Sequence, residues 1–254
     1  MKERDRIIQK YFNGNENASI YYNIDEEIFK KVLKFENIIS YEKPDILSMF
    51  ENQIIGIEHF EFDSFKRTKK GSTLKIEENQ IEKDFEKKMR KAFKHKKTII
   101  VEEKIQSIRS LDNYFNNFKK IFLEHYKKID SYIEHIKEDF DCRNKKIHIC
   151  FFAEDVTHFG NFLIKENEEF LLLNPLYSDE IIEMLKNCLK VEYLIIGTEM
   201  MDKNKIIIIE NRKETFEKFK EVRPEVDEKN FLKSDIHTTG YAQQISKEEL
   251  KNMI

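Results

Sequence analysis

The sequence predicts an α/β (or α+β) protein in which a central mixed sheet is flanked by helices. Near-continuous apolar runs, KIHICFFAEDV, VEYLIIGTEM and KIIIIEN, recur through the last third and are separated by helical patterns, as strands covered on both faces require. Apolar residues at three- and four-residue spacing mark several helices elsewhere. A hydrophobic content of 40% in 254 residues supports a sizeable core, and 3 Pro with 6 Gly leave little room for linkers. No stretch reads as low-complexity or as an internal repeat.

The first helix is expected from Ile24 to Ile39, with Asp25 as N-cap and Ile28, Phe29, Val32, Leu33 and Phe35 at helical spacing. Glu36 falls on the same inward stripe, where a carboxylate needs a cation, a donor or a metal. After Pro44 the pattern turns extended: DILSM and then QIIGIEHFEF read as a hairpin. A loop from Phe65 to Thr73 leads into a helix of about 20 residues bearing Ile76, Ile81, Phe85, Met89 and Phe93, followed by a short strand, TIIVEE.

From Leu111 to Phe140 runs the longest helical pattern, with room for a bend. His125 lies on its apolar stripe and reads as a satisfied core or boundary histidine. The final third adds a helix near Ser178 (IIEMLKNCL) and another around ETFEKFKEV, and beyond Pro224 the chain becomes polar and irregular, with a weak terminal helix in SKEELKNM. The expected organisation is one domain over residues 1–221 with a helical insertion at 107–140 and a polar tail at 222–254.

Charge excludes little by itself: 45 Lys and Arg against 48 Asp and Glu give a net −3, so electrostatic recognition must be local. The start, MKERDRIIQKYF, lacks the apolar run of a signal peptide, and no apolar segment approaches the roughly 20 residues that cross a bilayer. A cytoplasmic protein with no membrane partner is expected. Cys142, Cys150 and Cys188 form no CxxC pair and suit a reducing compartment, and Cys150 with His148 is read as core packing rather than half a metal site. No GxxxxGK[ST], GxSxG, HExxH or GxGxxG motif occurs, which argues against the chemistries those loops and helices serve.

The chemistry concentrates between Glu36 and Ser72. Glu36, Asp45 and Glu58, one on a helix, one at a turn and one on a strand, can converge although nine and thirteen residues separate them. Oxygen ligands of this kind select hard cations, Mg²⁺ or Mn²⁺, which polarise a phosphodiester and activate water. Residues 66–97 carry 13 Lys and Arg against 5 Asp and Glu, a local excess able to meet a nucleic-acid backbone or equally to form a solvated helix face. Lys70-Gly71-Ser72 is too short for a phosphate loop but can present amides and Ser72 to an anion.

These residues resemble the PD-(D/E)XK nuclease superfamily, the fold of many restriction and repair endonucleases. The matching positions are Glu36 on the preceding helix, Pro44-Asp45, and Glu58 in GIEHF, over roughly residues 24–100, with KIHICFFAED as a later core strand. The resemblance implies a restriction-endonuclease-like core with a long helical insertion. It also implies Asp45 and Glu58 as ligands of Mg (or Mn), Glu36 assisting, and nucleic acid as partner and substrate, DNA or RNA. The chain departs from the pattern at Phe60, where a lysine is usual. Lys66, Lys69, Lys70 or Lys75 could supply the missing charge, with Lys70 the catalytic candidate and Lys66, Arg67, Lys69, Lys70 and Ser72 the expected nucleic-acid contacts. His59 and Glu61, on the other strand face, are the alternative carriers of chemistry.

The alternative function is a catalytically inactive nucleic-acid- or protein-binding module of a defence or mobile-element system. A homo-oligomer built on the stripe from Leu111 to Phe140 is a third reading. A second acidic pair, Glu154-Asp155, is read as a polar turn capping its strand, and only secondarily as a metal ligand or a support for His158.

Overall fold

The computed structural model describes residues 3–7, 10–11, 19–22, 37–50, 52–69, 71–92, 98–104, 109–157, 161–164, 170–198, 204–231 and 237–243. The chain divides into two units, one formed by Met1–Ser64 with Leu111–Leu232 and the other by Phe65–Ser110 with Lys233–Ile254.

The larger unit is built on a seven-stranded mixed sheet. In chain order its strands are β1 (Ser19–Tyr22), β2 (Ile38–Ser40), β3 (Ile46–Phe50), β4 (Gln53–Phe62), β8 (Lys146–Asp155), β11 (Tyr193–Thr198) and β12 (Lys205–Glu210). Across the sheet they run β1-β12-β11-β8-β4-β3-β2. β2, β3 and β4 form an antiparallel meander; β8 then lies parallel to β4, and β11 parallel to β8. β12 returns antiparallel to β11 and pairs in parallel with β1.

The apolar runs are continuous because the central strands are covered on both faces: every residue of β8 from His148 to Asp155 is buried. One face packs Phe60, Phe62, Ile149, Phe151, Leu194 and Ile196 against helices α3 (Leu111–Tyr126), α4 (Ile129–Asp139), α5 (Asp179–Asn187) and α6 (Lys213–Val222). The other packs Ile55, Ile57, Cys150, Phe152 and Ile195 against Ile7 of α1 (Glu3–Ile7) and Tyr11. The period-two alternation along β4 and β8 therefore sends successive side chains to two different cores.

The long helical pattern is two helices. α3 closes in a tight turn, Lys128 N–H donating to the His125 carbonyl at 2.9 Å, and α4 restarts at Ile129. The stripe of both helices faces the sheet: Tyr114, Phe118, Phe122, Ile129, Tyr132 and Ile136 are buried. Between β8 and α5 the chain makes a small hairpin, β9 (Phe162–Ile164) with β10 (Phe170–Leu172), and a 3-10 turn at Pro175–Tyr177 capped by the Asn174 side chain. Most of the expected helix 24–39 lies outside the described residues, but its last two positions, Ile38 and Ile39, are strand rather than helix. They pair with Ser48 and Leu47, and ladder pairing to β3 overrides the helical spacing read from the sequence.

The smaller unit holds a hairpin of β5 (Arg67–Thr68) with β6 (Gly71–Ser72), helix α2 (Thr73–Ala92), and strand β7 (Thr98–Lys104) paired with β13 (His237–Gln243). Gly71 sits at φ +114°, the left-handed turn conformation that glycine adopts without strain. β13 corrects the expectation of an irregular segment beyond Pro224: HTTGYAQ is extended, and a pairing partner more than a hundred residues away makes it a strand.

Candidate functional site

The β3–β4 hairpin positions the two principal carboxylates. Its register pairs Phe50 with Gln53 and Ile46 with Ile57, which sets Asp45, just before β3, beside Glu58. The Asp45 carboxylate accepts the backbone N–H of His59 at 3.0 Å. Gly56 permits this close arrangement. A Cβ there would lie 2.8 Å from Pro44 Cγ and 3.1 Å from Ile136 Cδ1, so only glycine lets Pro44 settle against β4.

Glu58 faces the helices and is 7% exposed. Burying a carboxylate is costly unless donors meet it, and two do: Tyr132 Oη of α4 and His125 Nδ1 of α3 each lie 2.7 Å from Oε1. A carboxylate only accepts, so Nδ1 carries the imidazole proton. Burial, the nearby charge and hydrogen bond of Glu58, and the charge of Asp45 push the Tyr132 phenol far above its usual range, so it remains a donor.

Phe60, two residues on, points to the same face and is buried against Phe118, Phe122 and Phe151. The His125 ring stacks on it, centroids 5.4 Å apart and planes 23° from parallel. The position that carries a lysine in the resembled pattern is thus filled by core, with an imidazole lying over it. His125 is a boundary residue as expected, but its partner, Glu58, was not foreseen.

The opposite face of β4 holds a second cluster. Glu154, paired across from Glu61, is wholly buried. It receives Lys10 Nζ at 2.7 Å and Tyr11 Oη at 2.9 Å on one oxygen, and His59 Nε2 at 3.0 Å and Arg6 at 3.4 Å on the other. Arg6 also reaches Glu61 at 3.6 Å. Burial alone would push the Glu154 carboxyl up; hydrogen bonds from His59 and Lys10 and their charges outweigh it and hold it at about 2. This corrects the reading of Glu154 as part of a polar turn: it is inside β8 and ties Arg6, Lys10 and Tyr11 to the sheet. The signal was present in a carboxylate ending an apolar strand, but the cations that answer it lie more than 140 positions away.

Asp155 does cap its strand. It accepts the Thr157 N–H at 3.0 Å and Asn161 Nδ2 at 2.8 Å, and burial holds its carboxyl up at about 6 against those bonds. Cys150 is core, its thiol pushed up by burial, and His148 beside it pairs with Glu192 at 2.6 Å.

Glu36, Lys70 and His158 lie outside the described residues. Lys66, Arg67 and Lys69 are exposed in the smaller unit, whereas Ser72 is 3% exposed with an unpartnered hydroxyl. Among the described residues no group of three or more His, Cys, Asp and Glu is arranged to hold a metal ion. Asp45 and Glu58 provide two hard oxygen donors, a set that suits Mg²⁺, which keeps several waters and takes one or two carboxylates together with substrate phosphates. No helix among the described residues is long and apolar enough to cross a membrane. Comparison with known protein families, with curated proteins and with solved structures finds no match to this chain.

Proposed function

We propose that this protein is a divalent-cation-dependent nuclease of the PD-(D/E)XK kind, or a descendant of one, acting on the phosphodiester backbone of DNA or RNA. The observation that carries the reading is the placement of Asp45 one position beyond the Ile46–Ile57 pair that ends the β3–β4 ladder, where its carboxylate accepts the His59 N–H next to Glu58. The order of elements supports it: a carboxylate-bearing hairpin, a segment that includes three helices, and then β8 returning parallel to β4. Asp45 and Glu58 would hold Mg²⁺ or Mn²⁺, with Glu36 assisting, and the ion would supply Lewis-acid activation of water and phosphate.

The protein's own groups prepare that site. The His59 amide fixes Asp45, while Tyr132 and His125 converge on one oxygen of Glu58 and hold its carboxylate in place. β4 lacks the lysine that orients water in the pattern, and Lys66, Lys69, Lys70 and Lys75 are the substitutes the sequence offers. Plasmid DNA and single-stranded RNA incubated with the purified protein and Mg²⁺ or Mn²⁺ test the reading. Cleavage is expected and is lost in Asp45→Asn; no cleavage by the wild type, or equal cleavage by the variant, overturns it.

Phe60 favours a second reading, a binding module that no longer cuts, because the lysine position is committed to the aromatic core. Calorimetric titration with Mn²⁺ separates the two: heat of binding abolished by Asp45→Asn supports the nuclease, and its absence from the folded wild type supports the module.

A further inference from the structure

Helix α2 sorts its charges by row. Lys75, Asn79, Lys83 and Lys87 follow at four-residue steps, a single ridge in which neighbours are about 6 Å apart along the axis, and all four are exposed. The acidic positions fall on other rows, Glu77 and Asp84 on one each, and Glu78, Glu82 and Glu86 together on a third. Glu77 and Asp84 are half-buried, and Asp84 accepts a hydrogen bond from Gln80. The ridge itself carries no acid, while Glu78, Glu82 and Glu86 stand three positions after Lys75, Asn79 and Lys83 on the row beside it.

Two further features of the same unit agree. The first turn of α2 contains no acid and does contain Lys75, so the positive end of the helix dipole has no negative side chain of its own. The β5–β6 hairpin that feeds this end displays Lys66, Arg67 and Lys69 to solvent, and it is tied to the helix start by the Thr73 N–H donating to the Lys66 carbonyl at 2.8 Å.

We propose that the Lys75–Lys83–Lys87 ridge, together with the Lys66–Lys69 hairpin, is a track for a nucleic-acid phosphate backbone, bound without regard to sequence. Among the described residues the surface exposes cations and small amides and no base-stacking aromatic, which is the chemistry of backbone contact rather than base readout. The only exposed apolar side chain of α2 among the described residues is Ile76, too little to enter a bilayer, so an anionic lipid surface is the less suited occupant. The inference rests on the nucleic-acid reading above and assigns binding to residues of the smaller unit, whereas Asp45 and Glu58 belong to the larger.

The test is fluorescence anisotropy of the full chain with labelled DNA duplexes and single-stranded RNA of unrelated sequences, in EDTA, from 50 to 200 mM salt. Binding of similar strength to each sequence is expected. The triple variant Lys75→Gln, Lys83→Gln, Lys87→Gln keeps helix propensity and should lower the slope of log K against log salt by about 2 to 3, near one per lost phosphate contact. Lys213→Gln with Lys218→Gln, on α6, is the control for general charge loss and should leave the slope alone. No binding by the wild type, an unchanged slope in the triple variant, an equal drop in the α6 control, or binding to phosphatidylserine vesicles but not to nucleic acid each overturns the proposal. Binding without cleavage in Mg²⁺ removes hydrolysis and leaves this surface standing; cleavage with the triple variant binding as wild type removes this surface alone.

Discussion

Replacing Glu154 by Gln keeps the shape of the side chain and removes the charge on which Lys10, Tyr11, His59 and Arg6 converge. The carboxyl is held at about 2 against an ordinary 4.5, and that difference corresponds to about 3 kcal/mol of folding stability at pH 7. A carboxylate depressed by folding stabilises above its unfolded value and loses the contribution as pH falls from about 4.5 toward 2. Asp155 acts with the opposite sign. Its carboxyl, held at about 6 by burial, makes the protein more stable as pH falls through that value. The wild type should therefore gain stability from pH 7 to about 4.5 and lose it below. In Glu154→Gln the gain remains, the loss below pH 4.5 is reduced, and stability at pH 7 drops by about 3 kcal/mol. Urea unfolding at pH 7, 5, 4 and 3 measures both effects. A variant as stable as the wild type at pH 7, or one with the same acid limb, would show that Glu154 does not hold its cations in the folded protein.

Tyr132→Phe deletes one of two donors to the buried Glu58 oxygen while keeping the ring in the core. It should cost about 1 to 3 kcal/mol in urea unfolding, the range for a hydrogen bond to a charged group, and unchanged stability would mean Glu58 takes no benefit from the phenol. Gly56→Ala drives a methyl to 2.8 Å from a proline ring carbon that cannot swing aside. A loss of about 1 to 3 kcal/mol is expected, and because Pro44 precedes Asp45, Mn²⁺ affinity should fall with it; a variant with wild-type unfolding and metal titration curves would refute the close packing at this point.

Where periodicity and pairing agree locally, the fold was legible. QIIGIEHFEF alternates, follows DILSM within a few residues, and became the hairpin that brings Asp45 to Glu58. The stripe from Leu111 to Phe140 faces the sheet as its spacing required, but the break at 127–128 left no apolar signature. Short strands were harder. SIYY and HTTGYAQ hold few residues and pair with segments far along the chain, so their extended state is set by partners that no local window contains. Ile38 and Ile39 fit a helical stripe and are strand because β3 offers them a ladder.

The same division runs through the candidate site. Residue types and spacing along the chain determined that Asp45 and Glu58 are acids at the ends and middle of adjacent strands, that Phe60 stands where a lysine was expected, and that positive charge gathers after residue 65. Only tertiary structure decided which donors answer each buried acid. Glu58 is met by His125 and Tyr132 from the two helices packed on its face, and Glu154, one strand over and facing the other way, by Lys10, Tyr11 and His59. The reason is physical: a strand sends alternate side chains to opposite faces, a buried carboxylate must find donors wherever the packed elements present them, and those elements come from positions the sequence separates by 67 to 144 residues.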